Sequence, residues 1–400
     1  MEKVVVVCNK SPFPDIDGGT SATRSLIQGL LNIGHEVHAI IFDTYKHPVL
    51  DENLFDEWKN AAFSYKALHV ETKIKPLSAI QNLLFCSESI HITRVQDERI
   101  TQFIQTEIDS LNVNLVIFDG LFALAQIPAL NKQNRKFVYR AHNIEHVVWE
   151  KVAQNSNFPR SFYVRLMAKR LKKFEVKVLS KIDQVWAIST DTAKFFQERN
   201  VNTEVVYPTF PISDSDTIKH TPNYERLALF HIGAMDWLPN LEAIDYFYLE
   251  ILPKFSEAFP NSIFYVGGRN FPKGRYKESN NFKVVGEIES YQDFVADMDI
   301  LVVPLLSGSG IRMKIGETMA MGIPVMATKV AMEGIPAVPG THYLAFENAI
   351  EFVEALRKIV SNPYLFNKLA FAGRDLALNY FSKQKLASQL NRILSDLNKA

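Results

Sequence analysis

The run Ser307-Gly308-Ser309-Gly310-Ile311-Arg312-Met313-Lys314-Ile315-Gly316-Glu317 sets a small flexible turn, two cations and a carboxylate within eleven residues. The backbone amides of a Ser/Gly turn can approach a ligand closely. A helix starting just behind such a turn adds open N–H groups and a dipole, both of which favour negative charge. Arg312 and Lys314 place two positive charges in that first helical turn, where the dipole alone disfavours them, and Glu317 falls about one and a half turns further in. This order of groups suits a diphosphate with an attached ribose.

Such a turn needs a rigid strand in front of it and a helix behind. Ile300–Leu306 is a short apolar run with a β-branched core, read as a buried parallel strand. Gly322 and then Pro324 close the helix, and Val325–Thr328 returns as the neighbouring strand. The first half of the chain alternates in the same way: strand Val4–Cys8, helix Thr20–Ile33, strand His35–Phe42, then strands Leu115–Phe118, Phe137–Arg140, Val185–Ile188 and Glu204–Tyr207. Residues 43–98 are polar and aromatic and give no clear assignment beyond helices. A Pro-rich polar stretch, 208–222, reads as an interdomain linker. Alternation then restarts with strand Leu227–Ile232, helix Leu241–Ile251 and strands Ile263–Val266 and Phe282–Val285. The tail 381–398 has helical spacing through Leu386, Leu390, Ile393, Leu394 and Leu397. Two β/α halves imply an α/β protein with two doubly wound domains, each binding at the carboxyl ends of its strands.

Size and composition agree. A chain of 400 residues is too long for one ordinary core. Hydrophobic content of 47% and charged content of 22% are those of a globular protein, and 44 basic against 44 acidic residues leave no global field for nucleic acid. The two cysteines, Cys8 and Cys86, fit a reducing compartment and build no disulfide framework. The N-terminal apolar run is too short for a signal peptide and no run reaches a membrane span, so the expected location is cytoplasmic.

Eight segments in order carry a resemblance: Pro14-Asp-Ile-Asp-Gly18-Gly19, Gly34-His-Glu-Val, Arg140-Ala-His142-Asn143-Ile-Glu, Trp186-Ala-Ile-Ser189, Ile232-Gly233 through Asn240, Val266-Gly267-Gly268, Val285-Gly286, and the turn described above. With these the chain resembles a family 4 glycosyltransferase of GT-B fold over nearly its whole length. The resemblance implies two Rossmann-like domains facing across a cleft: an acceptor domain over 1–208, a nucleotide-sugar donor domain over 209–380, and a C-terminal helix over 381–400 crossing back to the first. It implies transfer of a sugar from a nucleotide-diphosphate sugar to a glycan, lipid-linked or small-molecule hydroxyl, with retention, in glycan or polysaccharide biosynthesis, without metal or other cofactor. His142, Arg312 and Lys314 are then catalytic. Gly18, Gly19, Gly233, Gly286, Ser309, Gly310, Ile311 and Glu317 meet the donor, and Asn143 stands on the acceptor side.

The chain departs from the family at two points. The family sets two glutamates eight positions apart; Glu317 matches the second, which bonds the ribose hydroxyls, but the first falls on Ser309. The family's usual cation pair after the first strand of the second domain has no counterpart in Gly233–Asn240, and Arg312 and Lys314 are inferred to replace it. The missing carboxylate keeps a rival open, an inactive nucleotide-sugar-binding protein on the same scaffold. His142-Asn143-Ile-Glu145-His146 also has a zinc-peptidase spacing, which a hydrolase would require inside one helix. Finally, 159–181 carries eight cations against one acid, Glu175, a pattern fit for a solvated helix or for peripheral contact with an anionic membrane.

Overall fold

The computed structural model describes residues 2–14, 18–49, 55, 56, 58, 61–210, 222–308 and 310–399. The chain forms two compact units, Met1–Thr209 with Leu386–Ala400, and Phe210–Lys385.

Unit 1 runs β1 (Lys3–Cys8), α1 (Gly18–Asn32), β2 (Glu36–Asp43), β3 (Phe63–His69), α2 (Pro76–Phe85), α3 (Ile90–Thr93), α4 (Glu98–Ser110), β4 (Leu115–Asp119), β5 (Lys136–Ala141), α5 (Glu145–Gln154), α6 (Arg160–Val178), β6 (Gln184–Ala187), α7 (Thr190–Gln197) and β7 (Thr203–Val205). Its described strands pair in parallel in the order β3-β2-β1-β4-β5-β6-β7. Both faces of the sheet are covered, so β1 is a continuous apolar run: Val5 and Val7 enter one core, Val4, Val6 and Cys8 the other. On the second face Leu26, Ile27 and Leu30 of α1 pack with Leu386, Leu390, Ile393 and Leu397 of the C-terminal helix.

Unit 2 runs β8 (Ala228–Ile232), α8 (Leu238–Tyr246), α9 (Leu252–Ala258), β9 (Ile263–Gly267), β10 (Phe282–Gly286), α10 (Tyr291–Val295), β11 (Ile300–Val303), α11 (Met313–Ala320), β12 (Val325–Ala327), β13 (Leu344–Ala345), α12 (Ala349–Ser361) and α13 (Pro363–Phe381); α14 (Lys383–Lys399) follows and enters unit 1 from Leu386. The described strands form a parallel sheet in the order β10-β9-β8-β11-β12-β13. In both sheets the order reverses beside the first strand, between β1 and β4 and between β8 and β11. In open α/β sheets that switch point is where a ligand crevice forms.

Three elements differ from the sequence expectation for identifiable reasons. The strand expected over 300–306 stops at Val303, because Pro304 has no N–H to continue a ladder. The helix expected over 241–251 starts earlier, at Leu238, and changes to a π turn over Phe247–Ile251 before Pro253 opens α9. The linker expected over 208–222 falls largely outside the described residues.

Candidate functional site

In unit 2 the turn behind β11 delivers its cations as the spacing requires. Arg312 is the N-cap residue of α11 and Lys314 lies in its first turn. The helix ends where Gly322 adopts φ +77°, with Gly322 N–H donating to Met319 O and Ile323 N–H to Thr318 O, a paired C-terminal closure that a residue with a Cβ would strain. This leaves eight residues of helix aimed at the switch point.

Lys314 does not point to solvent. Its Nζ donates to Ile232 O at 2.7 Å, Asn240 Oδ1 at 3.0 Å and His231 Nε2 at 3.0 Å. These three acceptors use its three protons, and no carboxylate among the described residues bonds it. His231 is fully buried in β8 and its Nδ1 meets Val302 O at 2.8 Å, so the ring is neutral, with its proton on Nδ1 and its Nε2 lone pair on the ammonium. Burial and the nearby Arg312 hold the Lys314 pKa well below the ordinary lysine value, and burial and Lys314 do the same to His231. Among the described residues, the groups that bond this half-buried ammonium are neutral dipoles.

Arg312 is 5% exposed. Its Nη1 donates to Gly310 O at 2.5 Å, and its guanidinium carbon stands 5.3 Å from the centroid of the Trp237 ring. Burial lowers its pKa to about 10, against the opposing pull of Glu333. The turn itself is held by Ser307 Oγ, which donates to Glu242 Oε2 at 2.7 Å. Glu317 is half-buried one turn beyond Lys314, and Ile311 is likewise half-buried between Gly310 and Arg312. Ser309 lies outside the described residues.

Gly233 and Gly286 belong to the neighbouring strand ends. A Cβ on Gly233 would lie 2.4 Å from Asn240 Nδ2, and one on Gly268 would lie 1.9 Å from Gly233 O. The backbones of β8 and β9 therefore meet with no side chain between them, and Gly268 N–H donates to Gly286 O at 2.7 Å. Beyond this contact is a cavity of about 450 Å³ lined by Gly268, Asn270, Lys273, Glu278, Gly286 and Glu287, a volume within the usual range for small-molecule pockets. Of the other cations near it in sequence, Arg275 is committed to Asp245, with Nη2 to Oδ2 at 2.6 Å.

Unit 1 gathers its predicted residues around Asp119, which the sequence reading missed. Asp119 ends β4 and is fully buried. His142 Nε2 lies 2.7 Å from its Oδ1, Thr23 Oγ1 donates to its Oδ2 at 2.5 Å, and Arg140 Nε stands 3.9 Å away. Burial alone would raise the Asp119 pKa, but His142, Arg140 and the Thr23 hydroxyl overcome it and hold the carboxyl at about 2. Arg140 Nη1 also donates to Ala22 O at 2.9 Å. Asp119 and Arg140 thus bind the first turns of α1 to the ends of β4 and β5, and so place Gly18 and Gly19 at the helix N-terminus.

His142 and His146 are not a helical pair. The helix begins only at Glu145, His142 is held by Asp119, and His146 Nδ1 meets the fully buried Glu175 at 2.5 Å. The one-turn helical spacing of the zinc reading is absent. Asn143 instead bonds the Glu145 carboxyl, whose pKa is pushed up to about 7 by burial and by Glu175. Asp299, part of an Asp-x-Asp sequence, accepts from Ala228 N–H at 2.6 Å and serves as a sheet connection.

The model for the family "Glycosyl transferases group 1" matches residues 226–362, which hold the Lys314 cluster. No curated relative matches the sequence. Among solved structures the chain is similar to Anabaena HepE in complex with UDP and glucose (13% identity, 98% of this chain and 99% of that one, TM-score 0.64). It is similar to sucrose-phosphate synthase from Thermosynechococcus elongatus (15%, 100% of both chains, 0.66). It is also similar to a variant of S. aureus TarM in complex with Fondaparinux, alpha-GlcNAc-glycerol and UDP (13%, 100% of both, 0.65). The fold is therefore that of the GT-B glycosyltransferases.

Proposed function

We propose that this protein is a retaining glycosyltransferase, moving a sugar from a nucleoside-diphosphate sugar to an acceptor hydroxyl in glycan or polysaccharide assembly. The observation that carries the reading is the Lys314 ammonium, held at the switch point of unit 2 by acceptors that, among the described residues, are all neutral. A bound diphosphate supplies the counter-charge it lacks. When the bond from the anomeric carbon to the diphosphate breaks, the departing phosphate takes the electron pair, and a fixed positive site stabilises that charge more than it stabilises the intact donor. Arg312 and the open amides of the first turn of α11 contribute directly; Lys314, with its protons already engaged, contributes through its field. Lys314 reaches Ile232 O and Asn240 Oδ1, which supports the inference that it replaces a cation after β8. Gly310, Ile311, Gly233 and Gly286 meet the donor, and Glu317 takes the ribose hydroxyls.

In unit 1 Asp119 fixes the His142 ring through Nε2, which leaves Nδ1 to meet the sugar; Gly18, Gly19 and Asn143 complete that side. No metal is needed in this scheme, and turnover is expected to survive chelation. Titration calorimetry with UDP and the other nucleoside diphosphates tests the reading, UDP first because the HepE and TarM structures hold it. Arg312→Ala should weaken binding roughly ten- to hundredfold, the value of hydrogen bonds to a charged group. Glu317→Ala should weaken nucleoside diphosphates more than free pyrophosphate. Wild-type binding and turnover in both variants would sink the assignment.

A further inference from the structure

Helix α2 is turned inside out. Of its ten residues only Asn82 is buried. That polar side chain ties the helix down, its Nδ2 donating to Glu88 O at 3.2 Å and to Thr93 Oγ1 at 3.0 Å. Leu77, Ile80 and Leu84, spaced i, i+3, i+7, form an outward stripe that ends at Phe85; they are 66, 54, 66 and 83% exposed. A helix on a globular body ordinarily turns such a stripe inward, because each exposed leucine forgoes the favourable transfer from water. Ile74 extends the stripe ahead of the helix, between Lys73 and Lys75.

Beside α2 lies a strongly basic helix. Arg170 of α6 donates from Nη1 and Nη2 to the carbonyls of Asn82 and Leu83, at 3.0 and 3.1 Å. Over its length α6 has seven cations against a single acid, Glu175, and that acid is withdrawn to the core where it holds His146. Arg165, Lys169, Lys172, Lys173 and Lys177 are exposed. The chain as a whole carries no net charge, so this face is a local concentration of positive charge and not a share of a general one.

We propose that α2 and α6 together dock unit 1 on an anionic lipid bilayer. The α2 stripe lies in the plane of the interface with its leucines and Phe85 among the acyl chains, and the α6 cations stand at the headgroups. The occupant follows from the pairing of the two helices. An apolar layer bordered by a layer of negative charge is what an anionic membrane presents, and each helix meets the layer its own surface matches. The attachment is in-plane: among the described residues no helix is long and apolar enough to cross a membrane.

The test is co-sedimentation of the full chain with vesicles of phosphatidylcholine alone and of phosphatidylcholine mixed with phosphatidylglycerol. The protein should partition to the mixed vesicles, more weakly as salt rises, and far less to the neutral ones. The triple variant Leu77→Ser, Leu84→Ser, Phe85→Ser should lose at least about tenfold in partitioning. Lys169→Gln with Lys173→Gln should lose about fivefold per charge on the anionic vesicles only. Because all five residues are exposed, melting temperatures should stay at the wild-type value, so loss of binding reports the surface and not the fold. Failure of the wild-type chain to bind the mixed vesicles overturns the proposal, as does unchanged partitioning of the triple variant. A doubled mass in sedimentation, abolished by the triple variant without any vesicle binding, would assign the stripe to a second copy and overturn it equally. None of these readouts involves sugar transfer.

Discussion

The two units bury a charge at the same place, the carboxyl end of the strands where the order reverses, and they treat it in opposite ways. In unit 1 the anion Asp119 is matched by a guanidinium, an imidazole and a hydroxyl. In unit 2 the cation Lys314 is matched by a carbonyl, an amide and a neutral imidazole. The first cluster is complete and holds α1 against β4 and β5. Among the described residues the second has no carboxylate bonded to its cation. A buried ion without its counter-ion is costly unless something else brings the charge, and the proposal that unit 2 takes the anion rests on this difference.

The largest effect that could break this comparison is on the complete cluster. Asp119→Asn leaves Arg140, whose side chain is fully buried, without its anion, and breaking such a pair from one side costs roughly 3–5 kcal/mol. Urea unfolding followed by tryptophan emission should show a loss of that order. The same carboxylate has its pKa lowered to about 2 in the folded chain from 3.8, so its contribution is present at neutral pH and is lost as pH falls from about 4 toward 2. The variant should therefore lack the wild-type acid transition in that window. A wild-type stability for Asp119→Asn would show that the cluster is incidental.

Next is Lys314, where the sign reverses. Its folded pKa lies well below the ordinary lysine value, so between the two the unfolded chain binds the extra proton and stability rises with pH. In that window part of the unliganded population is neutral; a diphosphate bound beside Lys314 favours the ammonium, so binding should take up as much as one proton. Calorimetry in buffers of different ionisation heat reads this directly. Lys314→Met should abolish the uptake, whereas Asp119→Asn should leave it. Proton release on binding would contradict the account of unit 2.

Trp237 gives a smaller and more local reading. Its ring lies over Arg312, and it is the one tryptophan of unit 2, the others being Trp58, Trp149 and Trp186. Anion binding that draws the guanidinium toward the ligand should alter the emission of Trp237, and Trp237→Phe should remove the change while weakening binding by only about two- to fivefold, the lower end of what a cation–π contact is worth, because the phenyl ring keeps part of it. A ligand-induced change that persists in Trp237→Phe would place the anion elsewhere.

These contrasts also explain what the sequence could and could not reveal. The central strands of both sheets are buried on both faces, so they read as unbroken apolar runs, and the Ser/Gly turn with its cations is contiguous. Arg312, Lys314 and Glu317 were visible for that reason. Asp119, His231 and Asn240 were not, since each owes its role to neighbours tens of residues away. The weak signal available was a lone polar residue inside or just after an apolar run, His231 in Leu229–Ile232 and Asp119 after Phe118. Residues 43–98 failed for a different reason. Strand β3 lies at the sheet edge with most of its side chains only partly covered, and α2 presents its apolar residues outward, so periodicity there points the wrong way.

Glu145 supplies the smallest effect and the finest test of how unit 1 differs from unit 2. Unlike Asp119, it is disfavoured as an anion: burial and then Glu175 push its pKa up to about 7 from 4.5. The folded chain holds this proton more tightly than the unfolded chain, so between about 4.5 and 7 stability declines as pH rises, and above 7 the full cost of the ionised group is present. Glu145→Gln keeps the shape and the bond to Asn143 but cannot ionise. It should match the wild-type stability near pH 4 and exceed it by an increasing margin through pH 7, measured as denaturation midpoints across the series. Parallel curves for the two proteins would mean that the burial of Glu145 and the like charge of Glu175 are offset in solution, and that unit 1 carries this carboxylate ionised at no cost.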